Sequence, residues 1–261
     1  MKRIYASVLI SNFNKEKFIK RTLNSCKNQN FKSKEVIIFD DCSTDNSLSE
    51  IKKFKNFKLI KNKKKMFKSG PLNQIYAISR LIKASKGEII FLLDSDDEYR
   101  KDKISKICKL FKKNKKLNFI QDTPIDSLTK KKLLLKKRRS SYTVWPRFFP
   151  TSTIAVRKSY FKHFLKLVLP SKFPNLEIDA RISIYTYLKK EFAFIKQSYT
   201  IYKTDTNGIT SNYKKYRKKW WIKRMEAFIY MQYLSKILKI KFKKGIDFYF
   251  TRFINFFLEP K

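Results

Sequence analysis

Histidine and cysteine are scarce in this 261-residue chain, and their scarcity excludes several kinds of site. His163 is the only histidine, which excludes a metal site built from several histidines and allows a Ser-His-Asp triad only at that residue. Cys26, Cys42 and Cys108 lie far apart without the spacing of a zinc site, so we expect reduced and mostly buried thiols. Any bound metal is therefore expected to be a hard ion with oxygen ligands.

Long apolar runs are also missing. No uncharged apolar stretch reaches the roughly 18 residues that suggest a membrane-spanning helix. The N-terminus begins with basic residues and a short apolar run, but no small-residue cleavage site follows, so the run is better explained as a first strand. We therefore expect a cytosolic protein. With 43% hydrophobic and 16% aromatic residues, the chain is suited to bury the core of one domain or little more.

Acidic residues are few compared with basic ones: 62 lysines and arginines oppose 21 aspartates and glutamates, for a net charge of +41. Three explanations stay open. The charge fits a polyanionic partner such as nucleic acid or anionic lipid, a nucleotide-phosphate site that uses a few of the charges, or a composition in which exposed positions default to lysine. The lysines are spread through every segment, so charge alone does not choose among these explanations.

Strands and helices alternate over about the first 120 residues. Apolar runs at Ile4–Ile10, Glu35–Phe39 and Glu88–Leu93 predict strands, the last two buried on both faces, and Lys58–Ile60 predicts a short one. Apolar residues at helical spacing lie between these runs, and Asn14 is expected to cap the first helix. The alternation predicts an α/β fold with a parallel sheet, in which ligands bind at the carboxyl ends of the strands.

The C-terminal half has a looser pattern. Residues 130–139 predict an exposed basic connection and residues 176–188 a helix. From residue 212 onward the chain is rich in lysine and in aromatic residues at helical spacing. This composition fits a helix on an anionic bilayer surface and equally a helix packed on the rest of the protein.

Acidic residues cluster at two predicted strand ends. Asp40 and Asp41 follow one buried strand, and Asp94, Asp96 and Asp97 follow another. Adjacent carboxylates raise one another's pKa unless a cation or hydrogen-bond donors offset the repulsion. An Mg²⁺ or Mn²⁺ ion held by one or two carboxylates does so, and diphosphate oxygens complete its coordination. A lone D-x-D is more often a solvated turn or a helix cap, but two such strand ends favour a nucleotide and metal site.

Three segments carry a resemblance to a known family. Residues 8–31, 35–47 and 70–99 together resemble glycosyltransferase family 2, whose members are inverting, nucleotide-sugar-dependent enzymes with the GT-A fold. The similarity implies a Rossmann-like, mostly parallel sheet flanked by helices, with a basic helical C-terminal extension. The implied parts are a glycosyltransferase domain at 1–211, made of a nucleotide-binding half at about 1–120 and an acceptor half at about 121–211, and a basic amphipathic tail at 212–261.

The resemblance also implies roles for the strand-end residues. In the family the turn after the first strand holds the nucleotide, the aspartate at the second strand end contacts the base, and the D-x-D region binds ribose and metal. The base contact falls to Asp40 or Asp41. The implied nucleotide-sugar contacts are Ser11, Phe13, Asn14, Glu16, Asp40, Asp41, Asp94 and Asp96, and the implied ligands of an Mg²⁺ or Mn²⁺ cofactor are Asp96 and Asp97.

An acidic pair at a helix start supplies the general base in related enzymes. The nearest match here has Ile178 between its two acids, and Asp179 is the expected base with Glu177 second. On a helix, residues two apart point about 200° away from each other, so only one of the pair is expected to face the site. Charge stabilisation of the helix N-terminus is the structural alternative for both acids.

Two more segments correspond to the family's acceptor half. Pro150–Arg157 resembles the segment that passes under the acceptor. Lys203–Ser211 stands where relatives carry a loop with a histidine, which this chain lacks. Lys203, Thr210 or neither residue is therefore expected to hold the diphosphate.

The resulting expectation is transfer of a sugar from a nucleotide-sugar to a saccharide or lipid-linked hydroxyl in synthesis of cell-surface polysaccharide, lipopolysaccharide or glycolipid. A place on the cytoplasmic face of an anionic membrane surface fits such an acceptor. Two other classes stay open. A nucleic-acid-binding protein would explain the net charge and Trp220 and Trp221, but not the acidic strand ends, and no specific nucleic acid is expected. A nucleotidyltransferase uses similar carboxylates.

Overall fold

A computed structural model of the protein describes residues 5–135, 148–168, 172–204 and 213–258. The strands are β1 (Ala6–Asn12), β2 (Lys34–Asp40), β3 (Lys58–Lys61), β4 (Ile89–Asp94), β5 (Glu98–Tyr99), β6 (Phe119–Asp122), β7 (Ile125–Asp126), β8 (Ile154–Arg157), β9 (Phe194–Ile195) and β10 (Thr200–Tyr202). The helices are α1 (Glu16–Lys27), α2 (Ser47–Lys52), α3 (Gly70–Ala84), α4 (Lys103–Lys113), α5 (Lys158–Leu167), α6 (Ile178–Leu188), α7 (Lys218–Ile237) and α8 (Ile246–Leu258).

Within these residues, seven strands form one sheet in the order β3-β2-β1-β4-β8-β6-β9. Strands β1 to β4 are parallel to one another, whereas β8 runs antiparallel to both β4 and β6. Strand β10 forms a smaller sheet with β5 and β7. The predicted α/β class with a mostly parallel sheet flanked by helices is confirmed.

Apolar side chains fill both faces of the large sheet. Leu9, Ile37 and Leu92 belong to the cluster that packs with helices α3, α5, α6 and α7. The neighbouring residues Val8 and Phe91 belong to the cluster with α1 and α4 on the other face. Burial of each such side chain contributes roughly 1.5–3 kcal/mol. Burial on both faces of the sheet therefore explains why the segments predicted as doubly buried strands are apolar throughout.

Gly87 allows the chain to approach β1 closely as it enters β4. A Cβ atom at this position would lie 2.6 Å from the backbone carbon of Ala6 and 2.6 Å from the amide nitrogen of Ser7. The Gly87 amide instead donates to Ser7 Oγ at 2.9 Å. The central pair of strands therefore requires glycine here.

A buried ion pair joins the two sheets. Lys103 at the start of α4 is fully buried, and its Nζ donates to Asp122 Oδ1 at 2.8 Å. The same ammonium donates to Thr200 Oγ1 at 2.6 Å and to the Ser152 carbonyl at 2.7 Å. Ser152 lies in a short 3₁₀ turn, Thr151–Thr153. The cluster therefore fixes this turn between strands β6 and β10.

Two local predictions near the N-terminus were wrong. The first strand begins at Ala6 and continues to Asn12, beyond the predicted end at Ile10. Asn14 does not cap α1; it adopts a left-handed conformation with φ of 49°, and its Oδ1 accepts from the Thr44 amide at 2.8 Å. Asp45 supplies the acceptor for the first helical amide instead, at 2.9 Å from the Glu16 nitrogen. The cap thus comes from a loop distant in sequence.

The C-terminal segment forms two helices. Helix α7 buries Phe228, Tyr230 and Leu234 in the cluster with α3, α5 and α6, and α8 packs beside it. In the described part of the chain, no helix has the length and apolar character needed to cross a membrane. The predicted helix at residues 176–188 is confirmed as α6, whereas the basic connection at 130–139 lies partly outside the described residues.

Candidate active site

A cleft of about 1030 Å³ opens at the carboxyl ends of β1 and β4. Asn12 at the end of β1 lies opposite Asp40 of β2, and Ser11 lies opposite Asp94 of β4. The three strands therefore end side by side, as expected for parallel neighbours with a ligand site at their tips. The lining residues from this side are Ser11, Asn12, Phe13, Asn14, Lys15, Asp41, Asp94, Ser95 and Asp96.

Of the two aspartates after β2, only Asp41 lines the cleft. Asp40 is buried beneath it, where its Oδ1 accepts from Asn12 Nδ2 at 2.8 Å and from Ser43 Oγ at 2.6 Å. The Asp41 carboxylate accepts from Asn62 Nδ2 at 2.7 Å. Asp40 is thus placed to shape the strand end, and Asp41 to meet a ligand.

The turn after β1 presents Phe13 and Asn14 to the cleft. Phe13 is half-exposed, and Lys65 Nζ lies 3.3 Å from its ring centroid. Glu16 is not among the lining residues; its Oε2 accepts from the Asn46 amide at 2.8 Å and holds the loop before α2 against α1. The structure therefore brings Ser11, Phe13 and Asn14 together in the cleft and places Glu16 behind it.

The strand end after β4 carries an unfavourable concentration of negative charge. Burial raises the pKa of Asp94 well above its usual value, and repulsion from Asp97, Asp96 and Asp179 adds to the effect. Asp96 is compensated by Lys15, whose Nζ lies 2.6 Å from Asp96 Oδ2. The Asp94 carboxylate accepts a long hydrogen bond from Gln74 Nε2 at 3.3 Å. A cation near Asp94 would relieve this repulsion.

Asp97 lies below the cleft, where the structure surrounds it with donors. Ser152 Oγ donates to its Oδ2 at 2.5 Å, and the Lys203 amide donates to its Oδ1 at 2.7 Å. Burial, followed by repulsion from Asp96, raises the pKa of Asp97 to about 7. Asp97 does not line the cleft. Its bonds join the tip of β4 to the backbone that leaves β10.

Asp179 and Glu177 both line the opposite wall, at the start of α6. The expectation that only one of them faces the site was wrong, because Glu177 precedes the helix with an extended backbone and escapes the 100° helical rotation. Glu177 Oε1 accepts from Lys223 Nζ at 2.5 Å. Burial, followed by repulsion from Glu177, raises the pKa of Asp179 to about 7. An aspartate with this pKa can accept a proton near neutral pH.

Several lining residues were not predicted from the sequence. Gln74 on α3 bridges the two walls: its Nε2 donates to Asp94, and its Oε1 lies 3.5 Å from the Ile178 amide at the start of α6. Helix α7 contributes Trp220, Lys223 and Arg224. No local motif marks these residues, because they reach the cleft only through tertiary packing.

The two segments of the acceptor half also reach the cleft. Pro150 and Thr151 line it, and the polar side chain of Thr151 lowers the pKa of Asp179. Lys203 lines it as well, with its Nζ 3.1 Å from the centroid of the Phe18 ring. Thr210 lies outside the described residues.

The described residues contain no group of three or more metal-ligating side chains. Asp94 and Asp96 nevertheless bring two carboxylates to the cleft surface. A magnesium or manganese ion commonly takes one or two protein carboxylates and completes its coordination with water and phosphate oxygens. The donor set and the unrelieved charge at Asp94 therefore fit such an ion together with a diphosphate.

Residues 7–165 match the family model for glycosyl transferase family 2. The chain belongs to that family. The match covers β1 to α5, including Asp41, Asp94 and Asp96, and confirms the resemblance seen in the sequence.

Two curated relatives illustrate what this family member is similar to. The poly(ribitol-phosphate) beta-N-acetylglucosaminyltransferase TarS of Staphylococcus aureus is 34% identical over 98 residues, 37% of this chain and 17% of TarS. The Escherichia coli enzyme UDP-Glc:alpha-D-GlcNAc-diphosphoundecaprenol beta-1,3-glucosyltransferase WfaP is 35% identical over 99 residues, 38% of each chain. The chain thus spans well under two thirds of the curated relatives it matches.

Solved structures share the fold over nearly the whole chain. TarS 1-349 in complex with UDP-GlcNAc superposes with a TM-score of 0.63 at 17% identity, covering 96% of this chain and 73% of that one. The mannosyltransferase PcManGT from Pyrobaculum calidifontis, in complex with GDP-Man and Mn2+, gives 0.56 at 14% identity, with 98% and 70% covered. The GT-A fold of this family member is therefore established.

Proposed function

We propose that the protein transfers a sugar from a nucleotide-sugar donor to an acceptor hydroxyl by one inverting displacement. The observation that carries the proposal is the shared cleft, in which Asp94 and Asp96 on one wall face Asp179 on the other. Inversion requires attack from the side opposite the leaving group, and a base across the cleft from the diphosphate site suits that path. TarS and PcManGT, solved with UDP-GlcNAc and GDP-Man, support a nucleotide-sugar as donor.

The strand-tip wall is suited to the donor. Phe13, Asn14 and Asp41 offer a ring face, an amide and a carboxylate, which match the chemistry of a base and its N–H groups. Of Asp40 and Asp41, the two candidates for the base contact, Asp41 is the better suited, because Asp40 is used internally. Glu16 contributes indirectly, because it holds the loop before α2 in place.

Asp94 and Asp96 would hold a magnesium or manganese ion, with Asp97 supporting them from below. Asp97 is less suited to be a direct ligand, because Ser152 and the Lys203 amide occupy its oxygens. When bound, such an ion supplies positive charge that stabilises the departing diphosphate. Lys65 and Lys203 line the same cleft and add positive charge on the protein side.

Asp179 would act as the general base. It accepts the proton of the acceptor hydroxyl as the hydroxyl oxygen forms its bond to the anomeric carbon. The bond from that carbon to the diphosphate oxygen breaks in the same step, and the leaving group takes the electron pair. Glu177 is paired with Lys223 and is therefore placed to tune Asp179.

Replacement of Asp179 by Asn tests the assignment of the base. Loss of a general base typically lowers the rate by about 10²–10⁴-fold, while donor affinity should stay nearly constant, because Asp179 lies across the cleft from the proposed nucleotide site. Transfer is measured with purified protein, and donor affinity by calorimetry. Glu191→Gln, just beyond the C-terminal end of α6, is the matched control. Normal turnover in Asp179→Asn would exclude Asp179 as base.

Replacement of Asp96 by Ala tests the metal and donor site. The variant should lose Mn²⁺-dependent thermal stabilisation by a nucleotide-sugar, because one of the two cleft carboxylates is gone. A panel of UDP-GlcNAc, UDP-glucose and GDP-mannose, each with Mn²⁺ or EDTA, would also identify the donor. Asp102→Ala, which changes an acid outside the cleft, is the control. Donor affinity that is unchanged by EDTA and by the Asp96→Ala substitution would refute metal assistance.

The acceptor class follows from the relatives and is part of the proposal. TarS is named for poly(ribitol-phosphate) and WfaP for a diphosphoundecaprenol-linked sugar. Trp220, Lys223 and Arg224 on the acceptor side of the cleft suit a sugar ring next to an anionic group. We expect a cell-envelope polysaccharide or lipid-linked acceptor, and a lipid-linked one would place the enzyme at a membrane. The cytosolic location stays a prediction.

A further inference from the structure

Helix α8 exposes most of its large apolar side chains, while its buried side carries Phe248 and three polar residues, Asp247, Thr251 and Asn255. Ile246, Tyr249, Phe250, Phe253, Phe256 and Phe257 are between 55% and 74% exposed. At 100° per residue these six side chains fall within an arc of about 120°. A helix on the surface of a soluble protein normally has the opposite arrangement.

The buried side of α8 is fixed by polar contacts to α7. Asp247 forms an ion pair with Arg224 at 3.0 Å, and Thr251 Oγ1 accepts from Arg224 Nε at 2.9 Å. Asn255 Nδ2 donates to the Trp221 carbonyl at 3.1 Å. These three residues are spaced four apart, so one polar stripe attaches the helix along its length. These bonds therefore hold most of the aromatic arc outward.

Positive charge surrounds the aromatic arc. The connection from α7 to α8 carries the exposed residues Lys239, Lys241, Lys243 and Lys244, and Arg252 is exposed on α8 itself. Within residues 213–258 the acidic residues are Glu226 and Asp247, and both are hydrogen bonded inside the protein. A second copy of this chain would bring like charge to like charge. The complementary partner is an anionic surface with an apolar interior.

From this geometry we infer that α8 docks the protein on an anionic lipid bilayer, with the aromatic arc in the interfacial region and the flanking lysines on the lipid headgroups. Aromatic rings favour the membrane interface, and each lysine near an anionic surface strengthens binding. The Trp221 ring contacts Phe250 at 5.7 Å, and Trp220 beside it lines the cleft. The docking surface thus lies next to the acceptor side of the cleft.

Flotation of the full-length protein with lipid vesicles tests the inference at physiological ionic strength. Binding is expected to phosphatidylcholine vesicles that contain phosphatidylglycerol and to be much weaker with phosphatidylcholine alone. The triple variant Phe253→Ser, Phe256→Ser, Phe257→Ser should lower the partition coefficient by at least about 30-fold. The control Leu128→Ser, Leu134→Ser removes two equally exposed apolar residues outside α8 and should change nothing.

A matched pair of variants tests whether vesicle binding requires the lysines next to α8. Changing Lys239, Lys241, Lys243 and Lys244 to Gln should lower binding to anionic vesicles by about 100-fold or more. Changing four exposed lysines at the end of α4 to Gln removes the same net charge elsewhere and should have a small effect; these are Lys112, Lys113, Lys115 and Lys116. Circular dichroism checks folding, and Phe256→Glu is a milder second variant that should also lose vesicle binding.

Three outcomes would overturn the inference. The first is vesicle binding that survives all the Phe changes, since it would then be unspecific attraction of a basic protein. The second is absence of vesicle binding together with self-association that the triple variant abolishes, which would assign the arc to a second copy. The third is nucleic-acid binding that depends on the aromatic arc, together with no binding to vesicles.

Discussion

Replacing Glu177 by Gln is expected to move the acidic limb of the pH–activity profile to lower pH. Asp179 can accept a proton only when it is ionised, so activity falls as the pH drops through its pKa of about 7. Repulsion from Glu177 is the second largest cause of that raised pKa, after burial. Gln removes the repulsion and keeps the shape, so Asp179 stays ionised at lower pH.

The size of this change follows from the causes of the raised pKa. The pKa of Asp179 rises from its usual 3.8 to about 7, and burial, the larger cause, is unchanged in the variant. The limb should therefore move by about one pH unit, equivalent to about 1.4 kcal/mol in the ionisation of Asp179. In the variant Lys223, which lies 2.5 Å from Glu177, loses its partner. Its charge then acts on Asp179 alone and lowers the pKa of Asp179 further.

The assay is kcat/KM for sugar transfer measured from about pH 5 to 9, a range chosen to bracket the raised pKa. Glu191→Gln is the control, because Glu191 pairs with Lys189 at 3.2 Å and does not line the cleft. Asp179→Asn should leave only residual activity without this limb. A limb that stays in place or moves to higher pH in Glu177→Gln would refute the role of Asp179 or its coupling to Glu177.

Two further predictions concern stability. Gly87→Ala should destabilise the fold by about 2 kcal/mol, because the new methyl would overlap the backbone of Ala6; in differential scanning calorimetry the melting temperature should fall by about 4–8 °C, and an unchanged value would contradict the close packing. Lys103→Met should cost about 3–5 kcal/mol in urea unfolding, since it leaves the buried Asp122 charge unpaired. The double change with Asp122→Asn should recover part of that loss, and full stability in the single variant would show that the pair is dispensable.

Much of the fold of the first 120 residues could be predicted, because its signals are local. The runs at 35–39 and 88–93 are apolar throughout, and this pattern follows directly from burial on both faces of a parallel sheet. Their aspartates come together because parallel neighbours end at the same edge. The positions of these strand ends, and of the cleft between them, can therefore be predicted from the order of strands along the chain.

Finer placement depends on contacts that no local pattern records. The sequence cannot distinguish Asp40 from Asp41, because the choice is made by Asn12 and Ser43, which bond to Asp40 and turn it inward. Asn14 is a good helix cap by residue type, yet the loop around Asp45 supplies that contact. The prediction that Glu177 points away from Asp179 was wrong for a similar reason: α6 begins at Ile178, so helical spacing does not apply to Glu177.

Helix α7 has two structural roles, and these limit how the sequence can diverge. Its N-terminal turns, with Trp220 and Lys223, form a wall of the cleft, while its later turns, with Phe228 and Tyr230, fill the core. An insertion or deletion of one residue between Lys223 and Phe228 would rotate these two parts relative to each other by about 100°. The helix could then no longer line the cleft and fill the core at the same time. Under the proposed function, a new acceptor can therefore be accommodated here only by exchanging individual side chains at fixed helical positions.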